Sequence, residues 1–131
     1  MSSSSSSLSV IDIPEHCGNA PRKVVIRDFL IALYSGAVDE TLGMLKDDVR
    51  WEIVGSNVLS GQAETRAWLM NQDSTQELKL HTVITHGTDC GADGVATYAQ
   101  SRAVCFNHVI LFAGHGKAAK IKEIRSYLIE S

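Results

Sequence analysis

Between Pro21 and Ser35 the apolar residues Val25, Phe29, Ala32 and Leu33, with Ile26 and Leu30 alongside, return at helical spacing, and Gly36 can take the left-handed conformation that stops a helix. Asp39 can cap a second, shorter helix carrying Leu42 and Leu45 and ending near Asp47. Positions 49–54 then alternate as a strand. Gly61, followed by Glu64, opens a third helix in which Ala63, Ala67 and Trp68 can share a face.

Beyond that helix the period changes to two, and strands are predicted over 78–85, 95–100, 104–112 and 121–129. Cys90-Gly91-Ala92-Asp93-Gly94 and Gly114-His115-Gly116 offer the glycines that tight reversals use, with connections short enough for antiparallel neighbours. Helix, helix, strand, helix and then four strands is an α+β order, because βαβ alternation is absent. The expectation is three helices packed on a curved antiparallel sheet. Ile110 and Phe112 fall on one face of their strand and Val109 and Leu111 on the other, so both sheet faces should be covered. The helices cover one. A homodimer through the outer sheet face, or the serine-rich N-terminal segment, would cover the other.

Composition narrows the function classes. At 131 residues and 44% hydrophobic, the chain suits one domain, placed at 21–131. Residues 1–20 read as a flexible tail, since the run Ser2 to Ser7 buries no apolar surface, although Val10, Ile11 and Ile13 could add an edge contact. Twelve basic residues scattered among fifteen acidic ones give a net charge of -3 and no basic field for nucleic acid. No stretch approaches the roughly 20 apolar residues of a membrane span, and no secretory signal is evident, so a cytoplasmic protein without membrane contact is expected. Cys17, Cys90 and Cys105 read as free thiols. His81 and His86 fall on opposite strand faces and His115 in a turn, which suits no metal site. No nucleophile elbow occurs, and no cofactor is implied.

Several stretches carry a family likeness. Arg27-Asp28-Phe29-Leu30-Ile31-Ala32-Leu33-Tyr34-Ser35-Gly36, then Trp51-Glu52-Ile53-Val54-Gly55-Ser56, Ser60-Gly61, and finally Lys120-Ile121 with Ile124-Arg125-Ser126-Tyr127 resemble the ketosteroid isomerase and SnoaL-like polyketide cyclase branch of the nuclear-transport-factor-2-like superfamily. The likeness runs from about Pro21 to the C-terminus and implies a cone-shaped α+β fold around a hydrophobic pocket. It places Glu52 where ketosteroid isomerases carry the aspartate that moves a proton beside a carbonyl. Of their two oxyanion donors, the tyrosine position reads Phe29 and the protonated acid position reads His108. The polar positions of limonene epoxide hydrolases read Ala99, Ser101 and Ser126, and the late acid of SnoaL-like cyclases also reads Ser126.

The resemblance therefore implies an isomerase, cyclase or dehydratase acting by acid-base catalysis on a hydrophobic carbonyl compound, with Glu52 and His108 as catalytic residues. Phe29, Leu33, Val54, Trp68, Ile110, Phe112 and Ser126 would line the pocket. A carboxylate in such a site has its pKa raised by desolvation, which suits proton transfer near neutrality, and a histidine can donate, accept or shuttle. The residue pattern leaves alternatives open. Strand alternation puts Val49, Trp51 and Ile53 on one face and Arg50, Glu52 and Val54 on the other, so Glu52 could be a solvated partner of Arg50. His108 could be a neutral, structural histidine. Trp51, Trp68, Tyr34 and Tyr98 suit either a pocket or ordinary core, and Tyr127 the sheet or dimer surface. A non-catalytic ligand-binding or dimerisation module is the rival reading, and an accessory subunit with a collapsed pocket is the third.

Overall fold

In the computed structural model, residues 8–11, 21–116 and 118–130 are described. Helix α1 (Pro21–Ser35) buries Ile26, Phe29, Leu30 and Ala32 and stops at Gly36, which has φ +81°. Helix α2 spans Val38–Gly43, shorter than its sequence suggests, and no side chain caps it. Gly43 is a poor helix former, and Leu45 gains more as the first buried residue of strand β2 (Leu45–Ile53), paired with Ile121. A short return strand, β3 (Asn57–Ser60), which the alternation does not predict, leads into α3 (Gly61–Met70).

The Glu64 carboxylate accepts from the Ser60 N–H at 2.8 Å, a capping contact from one residue beyond the capping-box position. The buried face of α3 is Thr65 and Leu69, and Ala63 and Ala67 are exposed, so the predicted face is rotated. Three hydrogen bonds account for this. Thr65 can be buried because its hydroxyl donates to Gly61 O at 2.8 Å, and the Gln62 side-chain amide ties the helix to Leu42 O and Leu45 O, each at 3.0 Å.

Strands β4 (Thr75–His86), β5 (Asp89–Tyr98), β6 (Ala103–Phe112) and β7 (Ile121–Glu130) follow. With β1 (Ser9–Ile11) they form one curved, open sheet in the order β1-β4-β5-β6-β7-β2-β3. The sheet is mixed rather than wholly antiparallel, since β2 runs parallel to β7 and β1 parallel to β4. Val10 and its neighbours thus make the edge contact over Ser9–Ile11, while the serine run, Ile13 and Cys17 lie outside the described residues.

Residues 90–94 are not a reversal but the first half of β5; the chain turns at Gly87 and Thr88. Cys90, Ala92, Gly94 and Ala96 alternate toward the buried face, and small size there serves close approach. A Cβ on Gly94 would lie 2.1 Å from the Lys79 carbonyl oxygen and 2.9 Å from the Phe106 ring. The ladder shifts register between Leu80 and Thr82, so the bulge and the glycine together bend the sheet. α1 packs against β4 and α3 against β2. The core gathers Phe29, Trp51, Leu78, Ile110, Ile121 and Ile124.

Candidate functional site

Alternation along β6 sends Phe106, His108, Ile110 and Phe112 to the buried face and leaves His108 at 2% exposure. Ser126 on β7 lies opposite His108, and Ile53, two residues beyond Trp51 on β2, lies opposite Ser126. On α1, Tyr34 continues the stripe of Ile26 and Leu30 at four-residue spacing, so its ring stacks on Phe106 at 4.9 Å and its hydroxyl reaches the histidine. Four side chains form a chain of hydrogen bonds. Trp51 Nε1–H donates to Ser126 Oγ at 2.8 Å, Ser126 Oγ lies 2.7 Å from His108 Nδ1, and His108 Nε2 lies 2.8 Å from Tyr34 Oη.

One end of it is fixed: indole can only donate, so Ser126 accepts from Trp51. Two tautomers of His108 complete the chain: with Nε2 protonated, Ser126 donates to Nδ1 and His108 donates to the Tyr34 oxygen, which leaves the Tyr34 proton free for another acceptor; with Nδ1 protonated, both directions reverse and Tyr34 donates to Nε2. Burial lowers the His108 pKa to about 3, keeping the imidazole neutral. Burial first, and Tyr98 second, holds the Tyr34 phenol well above its usual range, so it remains a donor.

Tyr34 and His108 close one side of a cavity of about 40 Å³ whose apolar walls are Leu33, Trp68, Tyr98 and Leu128. Gln72, Asp73 and Thr75 add polar lining. Beside it, the Arg102 guanidinium lies 4.4 Å over the Tyr98 ring and pairs with Asp73 and Glu130, both at 2.7 Å. The turn that delivers Arg102 holds Gln100 and Ser101 at φ +62°, a conformation that costs non-glycine residues roughly 1 kcal/mol or more each.

The sequence candidates divide. Leu33, Trp68 and His108 meet at the cavity, and Ser126 stands behind them in the hydrogen-bonded chain. Phe29, Ile110 and Phe112 are core residues rather than lining: Phe29 packs on Trp51 at 6.0 Å, and Phe112 lies beneath Arg22. Val54 is 39% exposed. Glu52 alternates with buried Trp51 and Ile53, so it projects from the opposite face of β2, where it is 32% exposed and 3.5 Å from Arg50. Glu52 and His108 therefore do not share a cavity. Tyr34 reads from the sequence as an aromatic suited to pocket or core; no pattern announces that its hydroxyl meets a histidine 74 positions later.

No protein-family model matches the sequence, and no curated protein matches it. Solved structures do match. An NTF2-like protein of unknown function from Burkholderia xenovorans superposes with a TM-score of 0.69 at 16% identity, over 84% of this chain and 87% of that one. A candidate ketosteroid isomerase from Kribbella flavida gives 0.67 at 16% identity, over 85% and 79%. A de novo designed protein with a curved β-sheet gives 0.70 at 18% identity, over 84% and 86%. A fold shared with a designed sheet assigns no chemistry, which must come from the site. The curved mixed sheet, its bulge and its three helices give this chain the NTF2-like fold.

Proposed function

We propose that the protein binds a small hydrophobic carbonyl compound at the cavity between α1, α3 and β6, with Tyr34 donating a hydrogen bond to the carbonyl oxygen. The observation that carries this reading is that the hydrogen-bonded chain from Trp51 ends at Tyr34 on the cavity wall; the reading takes the tautomer with Nε2 protonated, in which the Tyr34 proton is not used by His108. Each donor in such a chain polarises the next, so Tyr34 is a stronger donor than an isolated phenol. A cavity of about 40 Å³ accommodates little more than one water, so ligand entry must displace Trp68, Leu33 or Leu128.

The reaction class that fits is isomerisation, cyclisation or dehydration through an enolate-like state, which a preset donor stabilises as charge develops on oxygen. Asp73, the carboxylate on the cavity wall, takes the substrate proton, and His108 holds the Tyr34 hydroxyl in place. Glu52, on the far side of β2, has no part in it. That orientation also supports a second reading, a non-catalytic ligand-binding module of the same fold.

The test is a thermal-shift and turnover screen with sterol, terpenoid and polyketide-like carbonyl compounds on the parent chain, Tyr34→Phe and Asp73→Asn. Tyr34→Phe should weaken binding about tenfold, the worth of one buried hydrogen bond. Asp73→Asn should end turnover while sparing binding. Unchanged ligand affinity in Tyr34→Phe would sink the proposal, and binding without turnover of any compound leaves the second reading.

We also propose that a second copy of the chain covers the outer sheet face. Ile84, Tyr127 and Ile129 stand exposed there, and Asp93 Oδ1, in the surface depression beside Ile84, is buried without a hydrogen-bond partner. Sedimentation of the parent chain should give a dimer, with Tyr127→Glu shifting it to monomer; a parent that stays monomeric at high concentration excludes it.

A further inference from the structure

Arg22 stands twelve residues before Tyr34 on α1, about 18 Å away along the helix axis, and its guanidinium is only partly satisfied. Nη2 donates to Gly114 O at 3.0 Å, and the guanidinium carbon lies 4.0 Å over the Phe112 ring. Nη1 is buried and has no hydrogen-bond partner. Among the described residues no carboxylate pairs with it, although Arg27, Lys46, Arg50, Arg66, Arg102 and Arg125 all have acidic partners. A guanidinium cannot shed its proton to escape burial, so an unpaired buried N–H calls for a counter-charge.

The surroundings supply a place for one. Among the described residues a cleft of about 360 Å³ is lined by Pro21, Arg22, Val25, Thr85, Gly87 and His115, none of them acidic. The first turn of α1 adds backbone N–H groups that no intrahelical carbonyl can satisfy, and it holds no acidic residue of its own. Thr85 and His115 can each contribute a further donor. Arg22 lines this cleft with one edge of its fork held by Gly114 O.

We infer that this cleft binds a compact oxyanion, the phosphate or carboxylate group of a small molecule, against Arg22 Nη1. The site is separate from the Tyr34 cavity, and neither assignment depends on the other. Bound there, the anion joins α1 to the β6–β7 connection and supplies the charge that Arg22 lacks.

The experiment is a titration of the full chain with inorganic phosphate and, separately, acetate at constant ionic strength, followed by melting temperature and by amide and imidazole NMR signals. A saturable rise in melting temperature is expected with at least one of them, with shifts confined to the first turn of α1, Thr85, Gly87 and His115. Arg22→Gln should lose the response, and His115→Ala should weaken binding several-fold. Should Arg22→Gln fold poorly, the parent NMR map decides alone. Shifts spread evenly over the surface, or a stabilisation retained in Arg22→Gln, would mean general salt exclusion and overturn the site. Asp12 and Glu15 precede α1 in the sequence and lie outside the described residues. An Asp12→Asn/Glu15→Gln double variant should bind as the parent does; tenfold tighter binding would show that the chain's own carboxylates serve Arg22, and the proposal would fall.

Discussion

Tyr34 Oη and His108 Nε2 are 2.8 Å apart, and the histidine is held from behind by Ser126 at 2.7 Å. This contact couples the end of a helix to the middle of a sheet and decides what the cavity can do. With Nε2 protonated, as in the function proposed above, the neutral imidazole is a fixed donor that sets where the Tyr34 hydroxyl points. On that proposal Tyr34 offers a hydrogen bond to a ligand oxygen, and proton transfer falls to another group.

The buried histidine makes stability fall with acid. Its pKa in the fold, about 3, lies below its ordinary 6.5, so below pH 6.5 the unfolded chain binds a proton that the folded chain refuses. The stabilisation is complete above pH 6.5 and is lost as the pH falls toward 3, by up to about 1.4 kcal/mol per pH unit. Urea titrations at pH 7 and pH 5 should show the parent midpoint dropping, and His108→Gln should flatten the difference. A parent midpoint that does not fall between these pH values would contradict the burial argument.

Glu52 is a surface strand residue, and its pairing with Arg50 at 3.5 Å is partly screened. Glu52→Gln should change unfolding free energy by no more than about 0.5 kcal/mol and leave affinity for any ligand of the Tyr34 cavity within about twofold. Denaturation curves and ligand titration check this together. A Glu52→Gln protein that folds normally but no longer responds to ligand would return this residue to the site.

Two glycines should behave differently when a methyl is added. At Gly94 the new atom would meet the Lys79 carbonyl oxygen at 2.1 Å, and neither backbone can withdraw without breaking the β4–β5 ladder. Gly94→Ala should cost about 3 kcal/mol or more, or prevent folding. Gly36 has φ +81° and open space around it, so Gly36→Ala should cost only about 1 kcal/mol of backbone strain. Equal losses in parallel denaturation experiments would disprove the close-approach account.

The local periodicities of the chain determined a good deal. The helical spacing of Val25, Ile26, Phe29, Leu30, Ala32 and Leu33, with Gly36 beyond, specifies α1 and its C-terminal end, and alternation from Val104 to Phe112 specifies which side chains of β6 are buried, His108 among them. Alternation around Trp51 likewise put Glu52 on the far face, and where the family likeness pointed it into the pocket the parity prevailed, because β2 has no bulge between Arg50 and Ile53 to reverse it. Only the tertiary structure decided the rest. The small residues from Cys90 to Gly94 look like a turn until Lys79 and Phe106 are seen pressing on Gly94. The parallel pairing of β2 with β7 brings Trp51 within reach of Ser126 across 75 positions, and a helix at the other end of the chain's order brings Tyr34 to His108. Side-chain period fixes a face and nothing more; which faces meet, and therefore which polar groups can satisfy one another, is settled by strand order and sheet curvature.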